Sequence, residues 1–366
     1  MTVRRISIGT GGGDAPGLNA VIRAVALGCQ ERGWECVGIR DGYNGLLTPE
    51  RYGGNGLVPL TRDTVRGITH LGGTIIGTTN RGNPLSYPVT AADGTVVEVD
   101  RTDELLAAFA AHGIDAHIAV GGDGSMGIAH QLSQRGLKVV GVPKTIDNDL
   151  AGTVVTFGFN TAASFATHAI DRLHSTAEAH GRVMVVEVMG RYAGWIALYA
   201  GVAGTADVIL IPEIPYDIQK VAEKVEERNQ RGYGFSIVVV AEGAKPVGGE
   251  LTVQSREVGR AERLGGVGYK VADALATLTG QETRVIVLGH LQRGGSPTTR
   301  DRLLALRFGA AAVRAIDAGE SGIMVALDPP DVRHVPLADA TERIRTVPLD
   351  SDVLLTAHDV GISFGN

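Results

Sequence analysis

Short apolar runs alternate along this chain with stretches whose apolar residues recur at helical spacing. A continuous apolar run is typical of a strand buried on both faces of a parallel sheet, whereas a spacing of three and four residues predicts an amphipathic helix. The predicted strands are 6–8, 35–39, 116–120, 139–142, 183–188, 207–211, 235–240, 284–288 and 323–326. The predicted helices are 18–28, 102–112, 126–134, 160–175, 195–203, 217–231, 266–278 and 299–315, followed by an irregular tail.

This repeated strand–helix order predicts an α/β protein with two doubly wound, Rossmann-like domains and mainly parallel sheets. A chain of 366 residues is too long for one compact core, which also favours two domains. We place the boundary at 152–158, so that the first domain spans 1–155 and is completed by about 292–345. The second domain spans 156–291 and is completed by the C-terminal tail.

Composition narrows the class of protein. Hydrophobic residues make up 44% and charged residues 20%, as in ordinary globular proteins, and the net charge of −6 argues against a nucleic-acid binder. No apolar stretch is long enough to cross a membrane, and no signal peptide precedes the first strand, so we expect a cytoplasmic protein without a membrane partner. The two cysteines, Cys29 and Cys36, are expected to be free thiols.

Glycines gather where predicted strands end. Residues 9–17 hold five glycines between a strand and a helix, and 121–125 repeat the arrangement with Asp123. A helix N-terminus behind such a segment offers free amides to an anion, although the spacing fits neither the dinucleotide fingerprint nor the Walker A pattern. Asp123 is placed to hold magnesium; the plainer alternatives are tight turns and a capping aspartate.

The segment 143–149 carries an ammonium, a hydroxyl, two carboxylates and an amide just after a predicted strand that Pro143 is expected to end. Such groups suit phosphoryl transfer: a carboxylate takes a proton from an attacking hydroxyl, another organises magnesium, and Lys144 neutralises phosphate charge. A turn in which Asp147, Asn148 and Asp149 cap their own backbone is the alternative.

Basic residues lie beside several other strand ends. The arginines are Arg182, Arg191, Arg284 and Arg293, with His290 shortly before the last. The guanidinium fork suits phosphate oxygens, and Glu242 at a further strand end can accept hydrogen bonds from sugar hydroxyls. Solvated surface arginines and a satisfied core histidine are the alternatives.

With these motifs in this order, the chain resembles the 6-phosphofructokinase family from Gly9 to about Val313. The segments that carry the resemblance are 11–19, 121–125, 143–149, 188–191 and 289–295. The resemblance implies Mg²⁺-assisted transfer of a phosphoryl group from ATP to the 1-hydroxyl of fructose 6-phosphate. It also implies a homodimer or homotetramer with active sites shared between subunits, a donor site in the first domain and a sugar-phosphate site in the second.

The resemblance implies a role for each motif residue. Asp147 is the base, Thr145 and Arg191 act beside it, and Asp123 with Asp149 serves magnesium. The donor site is implied to contain Gly13, Tyr43, Arg81, Gly122, Asp123, Gly124 and Ser125. The sugar-phosphate site is implied to contain Thr145, Asp147, Met189, Gly190, Arg191, Glu242, His290 and Arg293, with Arg182 and Arg284 reaching across a subunit interface.

Two positions bear on the phosphoryl donor. Gly124 is similar to ATP-using members, whereas pyrophosphate-using members carry a bulkier aspartate there; Lys144 is similar to pyrophosphate-using members. The chain thus resembles the mixed-substrate subgroup, and we predict ATP as donor from the space at Gly124. Arg81 lies one residue later than in regulated bacterial members. A pyrophosphate-dependent enzyme, a kinase of another sugar phosphate such as sedoheptulose 7-phosphate, and a non-catalytic sugar-phosphate-binding protein are the alternatives.

Overall fold

A computed structural model describes residues 3–91, 93–255 and 263–366 of the chain. The strands are β1 (Arg5–Thr10), β2 (Glu35–Ile39), β3 (Leu57–Pro59), β4 (Tyr87–Thr90), β5 (Val96–Val99), β6 (Ala116–Gly121), β7 (Val139–Thr145), β8 (Phe157–Gly158), β9 (Val183–Val188), β10 (Val208–Leu210), β11 (Ser236–Ala241), β12 (Val253–Ser255), β13 (Arg263–Leu264), β14 (Thr283–Val287), β15 (Ile323–Asp328) and β16 (Asp331–Pro336).

The helices alternate with these strands. They are α1 (Leu18–Gln30), α2 (Asn44–Leu47), α3 (Thr102–Ala111), α4 (Asp123–Gln134), α5 (Phe159–His180), α6 (Trp195–Ala203), α7 (Ile218–Gln230), α8 (Val267–Thr279), α9 (Thr299–Asp317), α10 (Leu337–Thr341) and α11 (Asp352–Asp359). Two short 3-10 helices cover Pro49–Tyr52 and Gly289–Arg293.

The first sheet has eight strands in the order β16-β15-β7-β6-β1-β2-β3, with β8 beside the end of β7. Neighbours from β15 to β2 run parallel, and β16 and β3 are antiparallel edges. Side chains alternate between the two faces of the sheet. Ile6 and Ile118 face the core that surrounds α1 and α9, whereas Val37 and Val139 face the core that surrounds α3 and α4. Both faces are therefore covered, which explains the continuous apolar runs.

The second sheet has four parallel strands in the order β10-β11-β9-β14. Val183 and Val238 face α7 and α8, and their neighbours Met184 and Ile237 face α5 and α6. Both sheets are mainly parallel and flanked by helices on both sides, so the predicted α/β fold class is confirmed.

One continuous cluster of buried side chains joins the two sheets through α5 and α9. A buried carboxylate fixes these helices to each other: Asp301 in the first turn of α9 accepts hydrogen bonds from the Thr161 N–H (2.7 Å) and Thr161 Oγ1 (2.6 Å) in the first turn of α5. A carboxylate at a helix N-terminus satisfies amides that have no partner within the helix. After α9 the chain returns to the first sheet as β15.

Three local predictions are wrong. Pro143 does not end its strand, because β7 continues to Thr145 and pairs Lys144 with Phe157 of β8; the proline removes only one donor from the ladder. Helix α4 begins at Asp123 and not at Met126, so the second glycine loop is shorter than expected. The tail is not irregular, since β16, α10 and α11 form there through packing of residues such as Leu337 and Leu354.

Two further observations concern the termini and the thiols. Residue Ser363 in the C-terminal tail pairs in parallel with Val208, so the tail extends the edge of the second sheet. Cys29 and Cys36 are buried free thiols, as predicted. Among the described residues, none of the helices combines the length and apolarity that a bilayer crossing requires.

Candidate active site

The glycine loop between β1 and α1 is held by its carbonyl groups. Lys144 Nζ donates to the carbonyl oxygens of Gly11 (3.0 Å) and Gly13, and Thr78 Oγ1 lies 3.1 Å from the Thr10 oxygen and 2.7 Å from the Gly12 oxygen. Two amides of the loop also form hydrogen bonds. The Gly11 N–H donates to the Val120 carbonyl oxygen (2.9 Å), and the Gly12 N–H donates to the Thr79 carbonyl oxygen (3.0 Å).

The next two amides of this loop remain available. Arg293 Nη1 donates to the Asp14 carbonyl oxygen at 2.9 Å, which fixes the end of the loop. Within the described residues, neither the Gly13 nor the Asp14 N–H donates a hydrogen bond. Successive free amides in a glycine loop form a concave site for an anion, so this loop is suited to bind phosphate.

The turn between β6 and α4 lies beside this loop. Ser125 Oγ approaches so closely that a Cβ on Gly11 would come within 2.7 Å of it, so only glycine fits there. A Cβ on Gly124, in contrast, would meet no atom within 4 Å. Gly122 faces Thr145, with 3.9 Å between its Cβ position and the Thr145 Cβ. The N-terminus of α4 therefore opens onto free space next to the Asp147 loop.

The Asp147 loop follows β7 and is restrained on several sides. Asp147 N–H donates to Thr145 Oγ1 (3.1 Å), and the buried Asn148 adopts a positive φ of 54°. The Asn148 side-chain oxygen accepts from the Thr156 N–H at 3.0 Å. Arg345 donates its main-chain N–H to the Asp149 oxygen (2.7 Å) and its Nη1 to the Asn148 oxygen (3.0 Å). A non-glycine residue in this conformation needs such restraint, because its backbone is strained.

Burial and like charge perturb the acids of this loop. Burial raises the pKa of Asp147, against the opposing effect of Arg293, Arg191 and Lys144, and its Oδ1 is buried without a hydrogen-bond partner among the described residues. The pKa of Asp149 is raised to about 7, mainly by burial and to a smaller extent by the negative charges of Asp147 and Asp123. Such a shift brings a carboxylate into the range in which it accepts protons near neutral pH.

The Lys144 ammonium lies in the same buried region. The residue is 3% exposed, and burial, followed by the charge of Arg293, lowers the pKa of Lys144 to about 7. Its neighbours Asp14, Asp147 and Asp149 act in the opposite direction. The lysine thus lies between the glycine loop and the acids.

The carboxyl ends of β9 and β11 supply the other side of the site. Gly190, with φ of 137°, follows β9 and accepts the Gly243 N–H at 3.0 Å, which brings the loop of Arg191 against Glu242. Burial, followed by the charge of Asp147, raises the pKa of Glu242 to about 7, and Arg191 opposes this. Asp147 also interacts with Arg293. The charged groups that share this region are therefore Asp147, Arg191, Glu242 and Arg293.

Other predicted residues lie at the margins of this region. Tyr43 packs against the buried His117 with ring centroids 5.5 Å apart, and burial raises the pKa of the Tyr43 hydroxyl. Arg81 is exposed, and its N–H donates to Thr79 Oγ1 (2.9 Å) in the segment that supports the glycine loop. His290 is exposed in the 3-10 helix that also contains Arg293, and Met189 follows β9.

Two predicted arginines are not brought to this region. Arg182 and Arg284 both contact Glu282 at the amino ends of β9 and β14, with 2.8 Å between Arg182 Nε and Glu282 Oε2. Strand β9 has six residues, about 20 Å of chain, between Arg182 and the loop of Arg191. The sequence placed all four arginines beside strand ends but did not distinguish the two ends.

Sequence reasoning missed several residues that build the site. Thr78 and Thr79 belong to a polar loop with no distinctive signal, yet they bind the glycine loop. Arg345 lies about 200 residues from the loop it restrains. Its guanidinium stacks on Trp195 at 4.3 Å from the ring centroid, and Trp195 Nε1 donates to its carbonyl at 3.1 Å. No local pattern could have identified this contact.

Comparisons with known proteins identify the family of the chain. Residues 5–316 match the family described as Phosphofructokinase. The chain is 53% identical to an ATP-dependent 6-phosphofructokinase of Chloroflexus aurantiacus, over 99% of this chain and 98% of that protein. It is 51% identical to a pyrophosphate–fructose 6-phosphate 1-phosphotransferase of Amycolatopsis methanolica, over 94% of this chain and 96% of that protein.

A solved structure supports the same assignment. The phosphofructokinase of Saccharomyces cerevisiae superimposes with a TM-score of 0.77 and 31% identity, over 93% of this chain and 45% of the yeast chain. The match in family, sequence and fold extends over nearly the whole length of the chain. This chain belongs to the phosphofructokinase family.

Proposed function

We propose that this protein is an ATP-dependent 6-phosphofructokinase, which transfers the γ-phosphoryl group of ATP to the 1-hydroxyl of fructose 6-phosphate. The products are ADP and fructose 1,6-bisphosphate, as in glycolysis. The observation that carries this proposal is the convergence of Asp147 with a loop of free amides on one side and Arg191, Glu242 and Arg293 on the other. Relatives that match over nearly the full chain and are named ATP-dependent 6-phosphofructokinase support it.

Asp147 is the proposed general base. Burial raises its pKa, and its Oδ1, which has no hydrogen-bond partner in the described ranges, would accept the proton of the 1-hydroxyl as the oxygen attacks phosphorus. Thr145 and Arg191 lie beside this carboxylate, Arg191 close enough for its charge to lower the pKa of Asp147. Arg191 would stabilise the negative charge on the transferred group.

Mg²⁺ fits the acids of this site. The mutual repulsion among Asp123, Asp147 and Asp149 is the kind of field that a divalent cation relieves. In the described ranges, no group of three or more His, Cys, Asp and Glu side chains is arranged as a complete metal site. Mg²⁺ is commonly held by one or two carboxylates, with waters and substrate phosphates as its other ligands. Asp123 and Asp149 would hold it, and the ion would neutralise phosphate charge.

In this proposal each domain binds one of the two substrates. The first domain, 1–155 with about 292–345, would bind ATP at Gly13, Tyr43, Arg81 and Gly122–Ser125. The second, 156–291 with the C-terminal tail, would bind fructose 6-phosphate through Met189, Gly190, Arg191, Glu242, His290 and Arg293. Arg182 and Arg284 would serve the site of a neighbouring subunit in a cytoplasmic homodimer or homotetramer, because they lie at the opposite edge of the sheet.

Pyrophosphate is the alternative donor, favoured by Lys144 and by the Amycolatopsis relative. Turnover should therefore be measured with ATP and with pyrophosphate at saturating fructose 6-phosphate, and again with sedoheptulose 7-phosphate as acceptor. We expect the ATP rate with fructose 6-phosphate to exceed the others. A higher rate with pyrophosphate than with ATP would contradict the assignment of ATP as donor. If no combination of donor and acceptor gave turnover, the alternative of a non-catalytic sugar-phosphate-binding protein would be favoured.

The role of Asp147 has a direct test. Asp147→Asn keeps the shape of the side chain but removes the base, so kcat should fall by about 10²- to 10⁴-fold. The KM for fructose 6-phosphate should change much less. Asp171→Asn, at an exposed position of α5, is the matched control and should leave kcat unchanged. Near-normal turnover of Asp147→Asn would remove this residue from the mechanism.

A further inference from the structure

The Lys144 ammonium directs two of its three hydrogens to the main chain of the glycine loop. The side chain is buried, and Nζ donates to the carbonyl oxygens of Gly11 (3.0 Å) and Gly13. An ammonium has three hydrogens to donate, so these two bonds leave one for any other partner.

The orientation of a carbonyl fixes the amide of the same peptide unit. In a trans peptide the C=O and the following N–H point in opposite directions. Because the Gly13 carbonyl points at Lys144, the Asp14 N–H points away from Lys144. In the same way, the contact of Thr78 Oγ1 with the Gly12 carbonyl (2.7 Å) turns the Gly13 N–H away from Thr78. Neither of these two amides donates a hydrogen bond within the described part of the chain.

Glycine has no side chain to restrict its peptide units, and Gly12 has a positive φ of 77°. A run of three glycines at 11–13 would therefore sample several peptide orientations without external contacts. Lys144 is the one cationic side chain in the described residues that binds two carbonyls of this run, whereas Arg293 binds only the Asp14 carbonyl.

We propose that Lys144 is a positioning residue, which holds the carbonyls of Gly11 and Gly13 and thereby orders the glycine loop and turns the Asp14 amide toward the donor phosphates, beside the Gly13 amide that Thr78 orients. This inference rests on the proposed function only for the identity of the donor. The lysine acts on the loop before any donor binds, so it serves ATP and pyrophosphate alike and does not select between them.

Hydrogen exchange of the ligand-free protein tests this role. The Gly11 and Gly12 amides, which bond to Val120 and Thr79, report the order of the loop. Lys144→Met keeps the length of the side chain but removes the ammonium. Exchange at these amides should then accelerate by about 10- to 100-fold, because the free energy of a charge-assisted hydrogen bond corresponds to a change of about that size in the equilibrium for loop opening. Lys144→Gln retains a neutral donor and should give an intermediate rate. Lys138→Met, at an exposed position, should leave exchange unchanged.

Kinetics provides the second measurement. The KM values for ATP and for pyrophosphate should rise by similar factors in Lys144→Met. Unchanged exchange of the free protein, combined with a raised KM for one donor, would overturn the proposal, because the lysine would then contact that donor directly. If Lys144→Met loses its circular dichroism spectrum, the exchange rates of Lys144→Gln decide the question. If the wild-type protein shows no turnover, the proposed function fails, but the exchange rates still test the positioning role.

Discussion

Arg345 provides the sharpest test of how the tertiary structure holds the catalytic loop. Its guanidinium donates to the Asn148 carbonyl at 3.0 Å and stacks on Trp195 at 4.3 Å from the ring centroid. A hydrogen bond from a charged group contributes about 1.5–3 kcal/mol. A partly buried cation–π contact adds about 1–2 kcal/mol. Arg345→Met removes both contacts but preserves the aliphatic part of the side chain.

These contacts together contribute about 3 kcal/mol to the order of the Asp147 loop. Each 1.36 kcal/mol corresponds to about a tenfold change in rate, so complete transfer of this loss to the barrier would lower kcat about 100-fold. The main-chain bond from the Arg345 N–H to Asp149 (2.7 Å) remains, which reduces the effect. We therefore expect a decrease in kcat of about 10- to 100-fold, with KM for fructose 6-phosphate within about twofold of wild type.

The assay is steady-state turnover with both substrates saturating, together with thermal unfolding followed by circular dichroism. Arg343→Met is the matched control, because Arg343 is exposed and lies two residues away in the same segment. It should retain wild-type kcat. The reasoning is refuted if Arg345→Met keeps kcat within twofold of wild type, or if Arg343→Met loses as much.

Two further predictions concern the donor and the sugar phosphate. Gly124→Asp should fold normally, because a Cβ there meets no atom within 4 Å, but its side chain should fill the space for the α-phosphate of ATP, which pyrophosphate lacks. The kcat/KM for ATP should therefore fall by about 100-fold or more and that for pyrophosphate should not; equal losses with both donors would contradict this. Burial raises the pKa of Glu242 to about 7, so its carboxylate is neutral below that pH and accepts weaker hydrogen bonds from sugar hydroxyls. The KM for fructose 6-phosphate should therefore rise as the pH falls from 8 to 6, by about tenfold at pH 6, and Glu242→Gln should lose this dependence; a wild-type KM that is flat with pH would show that Glu242 binds no substrate.

The sequence determined the order of elements and the chemistry at the strand ends. Apolar runs such as that leading to Val142 predicted buried parallel strands, because a strand covered on both faces needs apolar residues at every position. The glycine loop and the Asp147 segment were also visible, since each concentrates unusual residues over fewer than ten positions. Helix ends and the C-terminal tail were less well predicted, because local patterns there are weak and packing decides.

Only the tertiary structure decided which of these segments act together. Lys144 reaches the carbonyls of Gly11 and Gly13, more than 130 residues away, and Arg345 reaches Asn148 across nearly 200. It also separated the arginines, since Arg191 and Arg293 lie with Asp147, whereas Arg182 and Arg284 lie at the other edge of their sheet. A sequence pattern records periodicity over one or two elements, whereas contacts between distant segments depend on strand order and on the direction in which each strand runs.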